Sequence, residues 1–399
     1  MRNGARLNVS QINPVSTFCF QIFWKKWVET MKREMPLLRF RDFAPSLSLR
    51  RANHFKLSVA LLFSAAVDSP LFSQRGSIDA MQIIILGAGA IGSLYGAKLA
   101  AGNDVTLIGR AEHVRAIQEK GLRIEGIETQ TVRLRAATCL EHMEPNTLIL
   151  LTTKVPATIS ILEPIAALIR NDTTIVALQN GLNSEQIARD AVGNRGIVLR
   201  GISQFGAIFE RPGCIRYMAR GYTLLEKHER SPRIASVLSA ADLDCRIVSD
   251  IATEVWRKLV FNCVVNPITT IIGSEVGEIV DPGLTAVKQL VIDECLAVAA
   301  ADGVSLETDL MSEISAAYCG SRNIVSMRQD LLRGRTTEID HLNGAVVTLG
   351  EEHALPCPVN AVLTQIIKAM ETVERAKASE KFHQRKTRSA KAGVAPTRL

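Results

Sequence analysis

The stretch that most limits what this chain can fold into is Met81 to Leu99, MQIIILGAGAIGSLYGAKL. Ile83 to Leu86 is a short unbroken apolar run, which suits a parallel strand covered on both faces. It runs straight into Gly87-Ala88-Gly89-Ala90-Ile91-Gly92, and good helix formers follow, with Leu94, Ala97 and Leu99 available to pack. In a strand–turn–helix setting each glycine has its own use. Gly87 permits the tight turn, Gly89 lets a pyrophosphate approach the backbone, and Gly92 lets the helix lie close on the sheet. The free N–H groups and positive dipole end of the helix then face the phosphates. The bland alternative is a glycine-rich turn that binds nothing. Asp104 to Ile108, DVTLI, reads as the second strand and ends in Gly109-Arg110, where an NAD-preferring site would carry Asp or Glu. An arginine there attracts a 2′-phosphate and stacks on adenine, which favours NADPH over NADH; a solvated surface arginine is the other reading.

Beyond this unit, strand and helix patterns alternate. His113 to Lys120 reads as a helix stopped by Gly121, and Leu122 to Ile124 with Thr131 to Leu134 as a hairpin. Thr147 to Thr152 and Thr174 to Leu178 read as buried strands, with helices over Thr158 to Ile169 and Ser184 to Val192 and a further strand beginning at Ile197. This repeat predicts a doubly wound parallel sheet, whose ligands sit beyond the carboxyl ends of the strands. Lys154 and Asn180 stand at two such ends. Glycines 206, 213 and 221 divide the pieces between Ser203 and Glu226, read as antiparallel strands closing the sheet's edge. A helix over Pro232 to Ala240 and a short strand over Arg246 to Ser249 follow, and from Ile251 the pattern is helical: Ile251 to Val264, Leu284 to Ala301, Leu310 to Ala317, Glu338 to His353 and Val359 to Arg375. The expected organisation is an α/β Rossmann-type domain over 81–249, an all-helical substrate domain over 250–374, a leader over 1–80 and a basic tail over 375–399.

The formal charge of +7 misleads about partners. Residues 1–80 carry 12 basic and 5 acidic side chains, and residues 375–399 carry 8 and 1. The span between them has 27 basic and 34 acidic residues, so it is acidic and does not read as a nucleic-acid binder. The eight cysteines lie singly, with no metal-ligand spacing and no disulfide framework, which fits a reducing, cytoplasmic setting. The apolar stretch Leu57 to Ala66 is too short to span a bilayer. The leader reads as sequence upstream of a natural start at Met81, with an arginine-rich targeting segment or a surface anchor as alternatives. The tail reads as solvated and largely disordered. The oligomeric state, a homodimer included, is left open.

Lys258, Asn262 and Asn266 are spaced four apart and so share one helix face. Polar groups on an otherwise apolar helix need partners or a solvated cleft. A lysine buried there, beside Val255 and Leu259, would have a lowered pKa and could act as a general acid. It could equally snorkel to water while the asparagines bond backbone. Ser326 and Glu338 offer a hydroxyl and a carboxylate, with a helix cap and a surface ion pair as the bland readings.

The order of these pieces resembles the ketopantoate reductase family: GAGAIG after the first strand, Lys154, Asn180-Gly181, Lys258-x₃-Asn262-x₃-Asn266-Pro267, Ser326-Met327-x-Gln329-Asp330 and Glu338-Ile339-Asp340. The resemblance covers about residues 81 to 372 and implies a Rossmann domain followed by a helical one. It implies NADPH-dependent reduction of 2-dehydropantoate to pantoate, a step towards pantothenate and coenzyme A. By the same resemblance, Lys258 is the general acid and Glu338 holds the substrate hydroxyl. Asn180, Asn262 and Ser326 contact substrate, with Asn266 on the same helix face, and Asn180 also touches the nicotinamide side. Lys154 lies near the cofactor, beside the loop residues Gly87, Ala88, Gly89, Ala90, Ile91 and Gly92 and beside Arg110. No metal is implied. Ala157, Gln179 and Val276 stand where some members carry glutamine, histidine and asparagine, which bears on which 2-oxo acid fits. Two other functions compete: reduction of another branched 2-oxo acid, and a dinucleotide-binding sensor without turnover. A sensor needs the glycine loop but not the pair Lys258 and Glu338. Since the first strand begins at Met81 and residues 1–80 show no core pattern, a chain starting at Met81 is expected to fold and keep its activity. Aggregation or lost binding in that chain would show that the leader belongs to the fold.

Overall fold

The computed structural model describes residues 81–392 except Asn194 and Thr308, with side chains through Lys377; the leader over 1–80 and the last residues of the tail lie outside the described residues. The chain opens with β1 (Gln82–Leu86), α1 (Ala90–Leu99), β2 (Asp104–Ile108) and α2 (Ala111–Lys120). Then come β3 (Leu122–Gly126), β4 (Gln130–Val132), β5 (Arg135–Ala137), β6 (Leu148–Leu151), α3 (Thr158–Leu162), β7 (Thr174–Ala177), α4 (Ser184–Ala191) and β8 (Ile197–Ser203). β9 (Gly206–Arg211), β10 (Cys214–Ala219), β11 (Thr223–Glu226), α5 (Ser231–Ala240) and β12 (Cys245–Val248) complete the α/β half.

An eight-stranded sheet runs β12-β11-β8-β7-β6-β1-β2-β5. Its pairs are parallel except β11 against β8. The apolar run of β1 alternates: Ile83 and Ile85 join the core on one face, Ile84 and Leu86 that on the other. A strand buried on both sides needs such a run, because neither face meets water. The chain leaves β1 for β2 on one side and later returns to β6 on the other. The carboxyl ends of β1 and β6 therefore flank a topological switch point, where open α/β sheets bind ligands.

Several elements depart from the sequence reading. β9 and β10 do not close the main sheet's edge. They form a second sheet, β4-β3-β10-β9, and only β11 pairs antiparallel with β8, with β12 outside it. The reason is the burial of Leu122, Ile124, Ile215 and Tyr217 in one core with Leu94 and Tyr95 of α1. That helix, buried nearly all round, lies between two sheets. The helix expected over Thr158 to Ile169 is broken into α3 and a 3₁₀ stretch over Glu163–Leu168, where Pro164 supplies no N–H. The helix expected to stop at Val264 continues as α6 (Ile251–Ile272) through Pro267. Pro267 leaves the Cys263 carbonyl without its helical donor, and Asn343 Nδ2 supplies one at 3.0 Å.

The helical half is α6, α7 (Thr285–Ala301), α8 (Leu310–Tyr318), α9 (Ser326–Leu332), α10 (Asn343–Glu352) and α11 (Pro358–Ala392) around Trp256, Val260, Val264, Val291, Val298, Ile314, Val346 and Ile367. The tail read as disordered from Arg375 continues as helix to Ala392. Glu338 is not in α10 but precedes a single 3₁₀ turn, Ile339–His341. Among the described residues no helix is long and apolar enough to cross a membrane.

His113 ties α2 to the second sheet. The Gly213 N–H donates to its Nδ1 at 2.9 Å, so its Nε2 carries the proton towards Ser93 Oγ at 3.1 Å. Burial pulls its pKa down to about 4 from the usual 6.5. Protonation at Nδ1 would set two donors against each other. The unfolded chain binds this proton first, so the stabilisation is complete above about pH 6.5 and is lost as pH falls towards about 4. Urea unfolding is expected to show stability falling through that window, with a shallower fall in His113→Gln. Equal slopes in the two proteins would contradict it.

Candidate active site

A cavity of about 1990 Å³ lies over the carboxyl ends of β1, β2, β6, β7 and β8, with α6, α9 and the segment 333–338 on its other side. Of the glycine loop, Gly87, Ala88, Gly89, Ala90 and Ile91 line it, as do Arg110, Lys154 and Asn180. The helical half contributes Lys258, Asn262, Asn266, Ser326 and Glu338. The structure thus brings all the sequence-predicted site residues except Gly92 to one cavity.

The loop's geometry fits a dinucleotide. Gly87 has φ +110°, and a Cβ there would come within 2.5 Å of the Thr153 nitrogen. A Cβ on Gly92 would stand 2.1 Å from the Gly87 carbonyl oxygen and 2.4 Å from Thr152 Oγ1, so this residue packs the helix against the sheet. A Cβ on Gly89 would meet nothing within 4 Å: this is open space beside the N-terminus of α1, where a pyrophosphate needs it. Gly109 packs directly on Ala88, which sets Arg110 beside the loop.

Polar contacts of Lys258, Asn180 and Lys154 join the α/β half to the helical half across this cavity. Lys258 Nζ donates to the Ser203 carbonyl at 2.7 Å. Asn180 Nδ2 donates to Glu338 Oε2 at 3.1 Å. Lys154 Nζ donates to Asp330 Oδ2 at 2.5 Å and to the Thr336 carbonyl at 2.8 Å. The backbone is close as well, since a Cβ on Gly181 (φ +84°) would lie 2.5 Å from the His341 carbonyl oxygen. Behind Glu338, the carboxylate of Glu371 on α11 accepts from Thr337 N at 2.8 Å and from Thr337 Oγ1 at 2.6 Å, which holds the loop that carries Glu338.

α6 presents Lys258, Phe261, Asn262, Val265 and Asn266 to the cavity, a stripe at helical spacing that alternates polar and apolar groups. Burial lowers the Lys258 pKa to about 8; the Arg200 charge adds to this and Glu338 opposes it. Sequence reasoning missed Arg200. It is 3% exposed on β8, donates through Nη2 to the Gly181 carbonyl at 2.8 Å and pairs with Glu185. Its signal was a charged residue inside the strand IVLRGIS. The roles of Asp330 and Glu371 as anchors were also missed, and their partners lie too far along the chain for spacing to show. Gln179 is buried and donates to Thr153 Oγ1 at 3.1 Å and Thr158 Oγ1 at 2.9 Å. Val276 is a buried apolar part of the cavity wall. Among the described residues no group of three or more His, Cys, Asp or Glu could hold a metal ion.

A glycine loop at the switch point of a parallel sheet, faced by a polar stripe on a helical half, defines an oxidoreductase that uses a nicotinamide dinucleotide. The family model described as "Ketopantoate reductase PanE/ApbA" matches residues 83–230, and "Ketopantoate reductase PanE/ApbA C terminal" matches residues 250–371. A 2-dehydropantoate 2-reductase of Pyrococcus abyssi is 34% identical over 302 residues, 74% of this chain and 99% of the relative. The crystal structure of a ketopantoate reductase of this family from Ralstonia eutropha JMP134 is 31% identical with a TM-score of 0.68, covering 74% of this chain and 100% of that one. A D-mandelate dehydrogenase solved with NADH and anilino(oxo)acetate is 28% identical, also with a TM-score of 0.68, over 74% of this chain and 99% of that one. The chain belongs to the ketopantoate reductase family.

Proposed function

We propose that this chain reduces 2-dehydropantoate to pantoate, using NADPH, in a cytoplasmic setting. The observation that carries the reading is the meeting of Lys258 with the Asn180–Glu338 pair over one cavity beyond the sheet's carboxyl ends. When bound, the reduced nicotinamide supplies the hydride. The protein's part is to place a proton and a positive charge where the carbonyl oxygen gains charge. Lys258 suits both tasks. One of its N–H groups is spent on the Ser203 carbonyl, which fixes the ammonium and leaves two for a substrate. A pKa of about 8 keeps it protonated at neutral pH yet able to release the proton. Glu338, oriented by Asn180, is an acceptor for a substrate hydroxyl, and Asn262, Asn266 and Ser326 offer donors to the acid end.

A second reading keeps the chemistry and changes the substrate. Val276, Phe261, Val265 and Tyr318 give the cavity an apolar wall, and the D-mandelate dehydrogenase likeness extends to a relative solved with an aryl-bearing oxo acid analogue. That wall favours a branched 2-oxo acid with a larger apolar arm. Turnover of NADPH with a panel of 2-oxo acids separates the two readings. A sensor without turnover has no use for Lys258 and Glu338 at one cavity.

Lys258→Ala is expected to lose at least roughly a hundredfold in kcat, since general acid catalysis is typically worth about 10²–10⁴-fold. Cofactor affinity should change little, because the nucleotide loop lies on the other half. In the unaltered protein, turnover in the reducing direction should fall as pH rises through about 8, where the ammonium loses its proton. Near-normal turnover of the variant, or a rate flat through that range, would remove Lys258 from the proton-donor role.

A further inference from the structure

We infer that Arg335, from the helical half, reaches across the cavity to the same 2′-phosphate as Arg110, so that dinucleotide choice is made by both halves together. The inference rests on the NADPH reading above. Arg110 follows β2 directly and lines the cavity beside the glycine loop. Arg333, Gly334 and Arg335 line the same cavity from the end of α9. Among the described residues neither the Arg110 nor the Arg335 guanidinium has a hydrogen-bond or ion-pair partner.

The position of Arg335 is held from both sides. Gly334 (φ +62°) ends α9, with Gly334 N–H on the Leu331 carbonyl at 2.8 Å and Arg335 N–H on the Asp330 carbonyl at 2.9 Å. This is the hydrogen-bond pattern of a Schellman cap, with Arg335 just beyond the glycine. Before it, Arg333 Nη2 donates to the Phe209 carbonyl of β9 at 2.8 Å. After it, the Thr336 carbonyl accepts from Lys154 at 2.8 Å. Both anchors belong to the α/β half, so the helical half cannot carry Arg335 away without breaking them.

Arg110 and Arg335 are both exposed where they line the cavity, so an anion entering there can reach both guanidinium groups. Burial lowers the Arg335 pKa; the nearby charges of Arg333 and Arg110 add to this, and Asp330 opposes it. Asp330 is already paired with Lys154. Guanidinium groups brought together this way gain most from a phosphate, whose oxygens accept their forked N–H groups. Of the phosphates on a dinucleotide, the pyrophosphate belongs to the glycine loop, and the 2′-phosphate belongs at the end of β2, where Arg110 stands.

The test is calorimetric titration of the full chain with NADPH and with NADH, unaltered and as Arg335→Ala and Arg110→Ala. The unaltered protein should prefer NADPH. Arg335→Ala should lower NADPH affinity roughly ten- to a hundredfold, the range for a hydrogen-bonded charged group, and NADH affinity by less than about threefold. Intact NADH binding also shows that the variant is folded. If Arg335→Ala weakens both dinucleotides equally, its contact is with the pyrophosphate or the fold; if it weakens neither, there is no contact. Either result overturns the inference while the unaltered protein still prefers NADPH. Equal affinities in the unaltered protein would instead overturn the NADPH reading and the inference with it, and Arg110→Ala would then also fail to discriminate.

Discussion

The proposed chemistry depends on one half-buried ammonium group in the cavity wall. Lys258 sits between a like charge, Arg200, and an opposite one, Glu338, and leans on a backbone carbonyl at the end of β8. Taking a lysine out of water lowers its pKa by disfavouring the charged form. The surroundings here limit that loss: a carbonyl accepts one proton, and a carboxylate acts against the burial and the arginine. The result is a lysine whose pKa is lowered to about 8, which suits the proposed role of proton donor. None of this is available to α6 alone, because Ser203 and Arg200 come from the sheet and Glu338 from the loop before α10.

The structure around this group is an α/β half and a helical half locked along one seam. The sheet's carboxyl ends supply Ser203, Asn180 and Lys154; the helical half supplies Lys258, Glu338 and Asp330. Each contact pairs one residue from each half. Further polar groups are bonded behind the seam: Glu371 holds Thr337, Asn343 answers the carbonyl freed by Pro267, and Arg200 occupies the Gly181 carbonyl. Such buried polar groups are stabilising only when partnered, so the seam depends on many side chains being in place at once.

What could be read from sequence was local. β1 and the glycine loop are adjacent in the chain, and the run of four apolar residues followed by glycines identifies the unit by itself. The stripe Lys258, Asn262, Asn266 follows from the helical period, even though Pro267 made the helix look shorter than it is. The second sheet was not legible, because β3 pairs in parallel with β10 some ninety residues later and nothing in either strand names its partner. Neither was the Lys154–Asp330 pair, separated by 176 residues. α9, with seven residues, was too short for its period to show. Arg200 was the one missed residue with a visible signal, a charge within an apolar strand.

The central claim is that Asn180 and Glu338 act as one unit because the two halves meet at the site. A double-mutant cycle tests it most directly: kcat/KM for 2-dehydropantoate with NADPH in the unaltered protein, Asn180→Ala, Glu338→Gln and the double variant. Residues that work through one shared contact lose most of their effect together, so the double variant should be little worse than the worse single one. Losses that multiply independently would mean that the contact at 3.1 Å is incidental to catalysis and that the seam does not build the site.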